Sequence, residues 1–167
     1  MTGGTRFPDQ WVPVVALQPV VPAAATTRWV SLKYYGGVTA LIAFKNGASG
    51  VVGSAIGLLQ ATAVAGTGSK LIPFTQYFSS IDDSVSVNFG APIIAVSNTF
   101  TTDATANKNG MYAIPIFSNA LDVSNGFTSY SVSVGNATAA TISVWYMLGV
   151  PGRYSGRPGS FGNPLID

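Results

Sequence analysis

Cysteine, histidine and glutamate are absent from this chain, and charge of either sign is scarce. Without cysteine there is no disulfide framework, no thiolate metal site and no thiol redox chemistry. Without histidine a Ser-His-Asp triad is excluded. General acid–base catalysis draws mostly on His, Glu, Asp, Lys and Cys, and three of those five types are missing. The remaining acids are Asp9, Asp82, Asp83, Asp103, Asp122 and Asp167. Nearly all sit in turn or terminal contexts, where a short carboxylate caps the backbone. A paired-carboxylate hydrolase through Asp82 or Asp83 would need a matched partner in an apolar cleft, and none is evident. No run of 18 apolar residues escapes interruption, so no transmembrane helix is expected. MTGGTRFPDQW lacks the charged-then-apolar layout of a signal peptide.

Charged residues make up 8% of the 167, against roughly 25% in ordinary soluble domains. Gly, Ser, Thr, Asn and Ala take their place, so the surface is neutral and fine-grained. Free monomers lean on charge for solubility, whereas a neutral surface suits contact with other protein. Net charge is +2, from Arg6, Arg28, Lys33, Lys45, Lys70, Lys108, Arg153 and Arg157 scattered without a run. Phosphate-tracking surfaces need clustered Lys and Arg, so nucleic acid is not an expected partner, and neither is a membrane.

What is present is period-two hydrophobicity. In residues 37–61, Val38, Ala40, Ile42 and Phe44 alternate with Thr39, Leu41, Ala43 and Lys45, so both faces of this strand are largely apolar. Asn46-Gly47 offers a reversal, and a second run covers 55–61. The two form either a hairpin or a pair of sheet-to-sheet strands at the centre of a sandwich. Further strands are expected over 28–35 (Trp29, Ser31, Lys33 and Tyr35 on one side; Val30, Leu32 and Tyr34 on the other) and over 70–79, with Pro73 marking an edge or bulge. Others are expected over 84–89, around Ile93, Ile94 and Val96, and over 111–117. Residues 118–126 read as a loop or a single helical turn. The clearest alternations place Tyr130, Val132 and Val134 opposite Ser129, Ser131 and Ser133, and Ile142, Val144, Tyr146 and Leu148 opposite Thr141, Ser143, Trp145 and Met147. Aliphatic inward and hydroxyl outward is what a half-buried antiparallel strand needs. GNAT, 135–138, makes a hairpin turn between them; its glycosylation sequon comes without a secretion signal. Eight or nine strands with no helix of three turns predict an all-β, antiparallel β-sandwich of the jelly-roll kind.

Three segments follow. Residues 1–27 are expected to form an extended, ordered arm, broken by Pro8, Pro13, Pro19 and Pro22 and too apolar for a free tail, that lies along its own domain or a neighbour. Residues 28–150 are the sandwich domain, and 151–167 are a Gly/Pro-rich tail. The contact residues predicted on the arm are Trp11, Val14, Val15, Leu17, Val20 and Val21. Those on the tail are Arg153, Tyr154, Arg157, Phe161 and Leu165. No cofactor and no metal site is expected. GTGSK, 66–70, lacks P-loop spacing, and the Asp103 loop lacks the alternating acids of a calcium site. Trp11, Trp29, Trp145, Tyr34, Tyr35, Tyr77, Phe78 and Tyr146 read as core or interface anchors, since no basic groove accompanies them to make a base-stacking platform.

WVSLKYYGGVTALIAFKNG, AIGLLQATAVAGTGSKLIPFTQYF, SYSVSV and ISVWYMLGVPGRY, in that order and closing on Gly152-Arg153-Tyr154, resemble capsid decoration (cement) proteins of tailed bacteriophages. The resemblance covers roughly 28–154 and leaves out the arm and tail; the sparse acidic residues depart from the usual members. It implies a jelly-roll fold and a non-catalytic role on the outer surface of the virion. There the protein would sit at two-fold or three-fold positions as a dimer or trimer of itself, clamping the major capsid protein. Two alternatives are a glycan-binding host-recognition module of a head fibre or tail, and a self-assembling coat protein. The first would be supported by exposed aromatics in the 101–110 or 118–126 loops. The second lacks the length and long helix of a tailed-phage shell protein and the basic inner face of an RNA-virus coat.

Overall fold

The computed structural model describes residues 11–81, 88–149 and 165. The described residues form an all-β antiparallel sandwich of twelve strands: β1 (Trp11–Val20), β2 (Ala25–Thr26), β3 (Val30–Ser31), β4 (Gly37–Asn46), β5 (Ala55–Ala61), β6 (Lys70–Leu71), β7 (Gln76–Ile81), β8 (Ile93–Ile94), β9 (Thr99–Thr101), β10 (Asn109–Phe117), β11 (Ser129–Val134) and β12 (Ala140–Gly149). The front sheet has the order β1-β12-β4-β10-β7-β8. The back sheet has the order β2-β11-β5-β6, with β3 also on β11 and β9 also on β5. The chain crosses repeatedly between the two sheets, and the core lies between them.

Residues 37–61 are the sheet-to-sheet pair and not the hairpin. β4 pairs with β10 and β12 in the front sheet, whereas β5 pairs with β11 in the back sheet. Asn46-Gly47 ends β4, and the positive φ in the connection belongs to Gly50. The GNAT segment likewise carries the chain between sheets, since β11 and β12 pair with other strands and not with each other. Val38, Ala40, Ile42 and Phe44 point inward beside Ile142, Val144, Tyr146 and Leu148, and all eight are buried.

The strand expected over 28–35 is only Val30–Ser31 long. To leave the back sheet and enter the front one at Gly37, the chain turns at 32–35, with the Tyr35 amide bonded to the Leu32 carbonyl at 3.1 Å. That turn buries Tyr35 and exposes Tyr34, against the alternation read from sequence. The strand expected over 70–79 is broken at Pro73 into β6 on the back sheet and β7 on the front. Residues 118–126 form two short 3₁₀ turns, at 118–120 and 123–125. Pro115 is tolerated in β10 because pairing with β7 ends at Ala113. Asp82, Asp83 and most of the strand expected over 84–89 lie outside the described residues. The serines of β11 were expected to face solvent, yet Ser129 and Ser131 are fully buried. β11 is flanked on both sides by neighbouring strands, and the Ser131 hydroxyl donates to the Thr27 carbonyl at 2.9 Å.

One edge of the sandwich is pinned by polar groups. Between β2 and β3 the chain bulges away from β11, and the tyrosine hydroxyl of Tyr146, from the front sheet, fills the gap. The Val132 amide donates to that hydroxyl at 2.9 Å and to Thr27 Oγ1 at 3.1 Å, and the two hydroxyls are in contact. Next to this, the Arg28 amide donates to the Ala16 carbonyl of β1 at 3.1 Å, at the point where β1 shifts register. Main-chain groups freed by two irregularities thus satisfy each other across the sheets, as buried amides require. Burial pushes the Tyr146 phenol up to about 12, against the lowering effect of its hydrogen bonds. Tyr130 packs edge-on against it at 5.3 Å, but the buried Tyr130 hydroxyl has no partner among the described residues.

The two tyrosines should therefore respond in opposite ways. Tyr146→Phe strips bonds from a buried amide and hydroxyl and is expected to cost about 1–2 kcal/mol. Tyr130→Phe removes an unpaired buried hydroxyl and is expected to be neutral or stabilising by up to about 1 kcal/mol. Urea denaturation of the two variants checks this; equal losses would contradict it.

Candidate interaction surface

Three ionic groups, Lys70, Asp122 and Asp103, are used structurally. Lys70, in β6, makes an ion pair with Asp122 at 2.6 Å and lies 4.2 Å from the Phe127 ring centroid. Asp122 also accepts from Ser124 and Asn125, and its amide donates to the side chain of buried Gln60 at 2.7 Å. This clasp ties the 3₁₀ turns to the back-sheet edge. Asp103 accepts from the Thr105 amide at 2.7 Å within its own turn. Among the described residues no three metal-ligating acids, cysteines or histidines converge, and no helix is long and apolar enough to cross a membrane. GTGSK is a turn, with Gly66 and Gly68 at positive φ, that feeds β6. A Cβ on Gly66 would strike the Trp29 indole.

Most of the other rings are also spent internally. Tyr77 stacks on Phe100 at 4.3 Å, Phe100 meets Tyr112 at 4.9 Å, and Tyr112 stacks on Phe44 at 5.4 Å. Phe100 belongs to the back sheet and the other three to the front, so these rings bridge the layers. Burial raises the Tyr112 phenol to about 12, and its oxygen accepts from the Asp103 amide at 2.8 Å.

The front sheet's outer face is different. Directly paired residues share a face, so the register can be followed across strands. Val15 pairs with Trp145, Trp145 with Leu41, Leu41 with Ala113, and Ala113 with Phe78: one apolar row across five strands. The flanking rows run Pro13, Met147, Thr39, Pro115 on one side and Ser143, Ala43, Met111, Ser80 on the other. Trp11 lies over Gly149 at the end of the sheet, in the row that closes on Phe117. Ile94 of β8 pairs with Gln76 at the far edge. Trp145 is 42% exposed, Phe117 73% and Ile94 79%. In these paired rows the one ionic residue is Lys45, at the end opposite Phe117. Beyond β8, Val96 is fully exposed.

The back sheet's outer face is plainer. Its rows hold Ser131, Leu59 and Leu71, then Thr26, Ser133, Gly57 and Thr99. A shallow groove of about 420 Å³ crosses it between Thr26 and Thr99, lined by small side chains.

Of the residues expected to make contacts from an arm, Val15 stands on the front face paired with Trp145, and Trp11 stands at the end of that face over Gly149. Val14 points into the core. Leu17, after the register shift, pairs with Val144 and packs against the core. Val20, paired with Ile142 at the end of the strand, and Val21 just past it are exposed. Residues 11–20 thus belong to the sandwich as an edge strand, because pairing with β12 satisfies their backbone where a free arm would not. Leu165 is partly exposed; Arg153, Tyr154, Arg157 and Phe161 lie outside the described residues. Leu41, Met111, Phe117, Met147 and Ile94 were not singled out as contact residues. Their signal was present: an apolar residue at the outward position of a period-two strand. Comparison with known protein families, with curated proteins and with solved structures returns no match.

The Asp122 clasp makes a pH prediction. The Lys70 hydrogen bond, and then that of Asn125, hold the Asp122 carboxyl at about 2, below its ordinary 3.8. Its contribution is complete above the ordinary value and is lost as pH falls through about 2. Between pH 4 and 2 the wild type should lose more thermal stability than Asp122→Asn, by a small margin because the pair is solvent-screened. Parallel melting curves would contradict this.

Proposed function

We propose that this chain is a non-catalytic structural subunit of a virion, a decoration protein that lies on the outside of a phage head and reinforces contacts between major capsid subunits. The observation that carries the reading is the front face. It is apolar across the sheet and nearly free of charge, and it holds exposed Trp145, Phe117 and Ile94. Contiguous exposed apolar surface beyond a few hundred Å² marks a contact site. The strand order supports a jelly-roll reading. The first and last long strands, β1 and β12, are neighbours in one sheet, the chain crosses repeatedly between the two sheets, and all pairs are antiparallel. Jelly rolls of this kind recur in capsid and lectin domains.

A glycan-binding role has one specific observation in its favour. A cavity of about 340 Å³ lies beside the 118–126 segment, with Tyr35, Phe127, Lys33 and Asn119 in its lining. The neutral surface and the apolar face favour the structural role over it.

Heads of the virus that encodes this chain, prepared with and without it, separate the two. The decoration reading predicts stoichiometric co-sedimentation of the chain with heads and a higher temperature of DNA release. Unchanged head stability together with binding to host-surface glycan would transfer the assignment to recognition.

A further inference from the structure

We propose that the front face is a self-association surface, on which two copies of this chain stack sheet to sheet about a two-fold axis near Trp145 and Leu41. The inference rests on the reading of that face as a protein-contact surface and adds the identity of the occupant.

Size is the first argument. Four adjacent strands of the face, β1, β12, β4 and β10, are nine or ten residues long, and β7 adds six more. At ~4.8 Å between strands and ~3.3 Å per residue, the face covers roughly 600–700 Å². Stable interfaces bury about 800 Å² per partner, and about 1,000 Å² in total is the working minimum. One face stacked on its copy clears that minimum without help from loops.

Charge is the second argument. A two-fold contact sets the same patch against itself, so any charge near the axis meets its own sign. Here the central row, Val15, Trp145, Leu41, Ala113 and Phe78, has none. Lys45 is four residues along β4 from Leu41, about 13 Å at strand spacing, and a two-fold axis that lies in the interface and runs across the strands carries the two lysines to opposite ends. The face is therefore self-compatible as it stands.

Edge-to-edge pairing through β1 is the competing geometry, and the edge is blunted against it. Pro13 and Pro19 remove donors, the strand shifts register between Val15 and Leu17, and the Ala16 carbonyl is already bonded to Arg28. Prolines and bulges are common protections of an edge strand.

The test is the oligomeric state of the full chain by sedimentation and light scattering, with small-angle scattering to report shape. The wild type should be a dimer with a dissociation constant in the low-micromolar range or tighter, about 10 μM or below, and its scattering should fit stacked sheets. Trp145→Asp and, independently, Met111→Asp should raise that constant by ~100-fold, as expected for central anchors. Thr99→Asp, on the back sheet's outer face, should leave it unchanged. A wild type that stays monomeric at about 100 μM, a dimer with an edge-to-edge envelope, or a dimer broken by Thr99→Asp alone would overturn the proposal. A monomer that still binds heads would refute this inference and leave the decoration role standing. A dimer with no head affinity would do the reverse.

Discussion

A β-sheet with two apolar faces needs cover on both, and the described part of one chain covers only one face of the front sheet. The inner face is buried against the back sheet, down to complete burial of Ile42, Ile142, Val144, Tyr146 and Leu148. The outer face has Trp145, Leu41 and Val15 in line and no charge among them. Burial of apolar surface is worth roughly 25 cal/mol per Å², so the pressure to cover the outer face is of the same kind that assembles the core. Sequence, fold and proposed role are linked by that pressure.

The inner side depends on the chain changing sheets repeatedly, and each crossing breaks a regular ladder. Two of the breaks are used against each other. The bulge between β2 and β3 exposes the Val132 amide, and Tyr146 reaches across from β12 to meet it. The shift in β1 frees the Ala16 carbonyl, and Arg28 bonds it. At the opposite side the packed rings of Tyr77, Phe100, Tyr112 and Phe44 span the layers. The Lys70–Asp122 clasp adds a third connection, at the surface, where water weakens it.

Much of this was legible in the residues. Alternation in β4, β11 and β12 marks strands and identifies their inward sides, because a period of two has one structural meaning. The double apolar character of β4 was visible in Leu41 and Ala43 and implied that something covers the second side. What was not legible is partnership at long range. Asn46-Gly47 can close a hairpin or end a strand equally well, and only the pairing of β5 with β11 decides. Thr27 and Tyr146, 119 residues apart, carry no local mark of their contact. Ser131 looks like a solvent-facing hydroxyl until the neighbouring strand is placed beside it. The prolines of 11–20 suggested an extended segment along the domain or a neighbour without saying which, and only the pairing of β1 with β12 decides.

Hydroxyl-radical footprinting of the chain in its native particle, compared with the isolated chain at high dilution, tests the central claim most directly. Trp145, Met111 and Phe117 report on the front face and Leu71, 45% exposed, on the back sheet's outer face. If the front face is covered by protein in the working state, the first three are protected in the particle while Leu71 keeps its reactivity. Equal oxidation of Trp145, Met111 and Phe117 in both states would contradict the account.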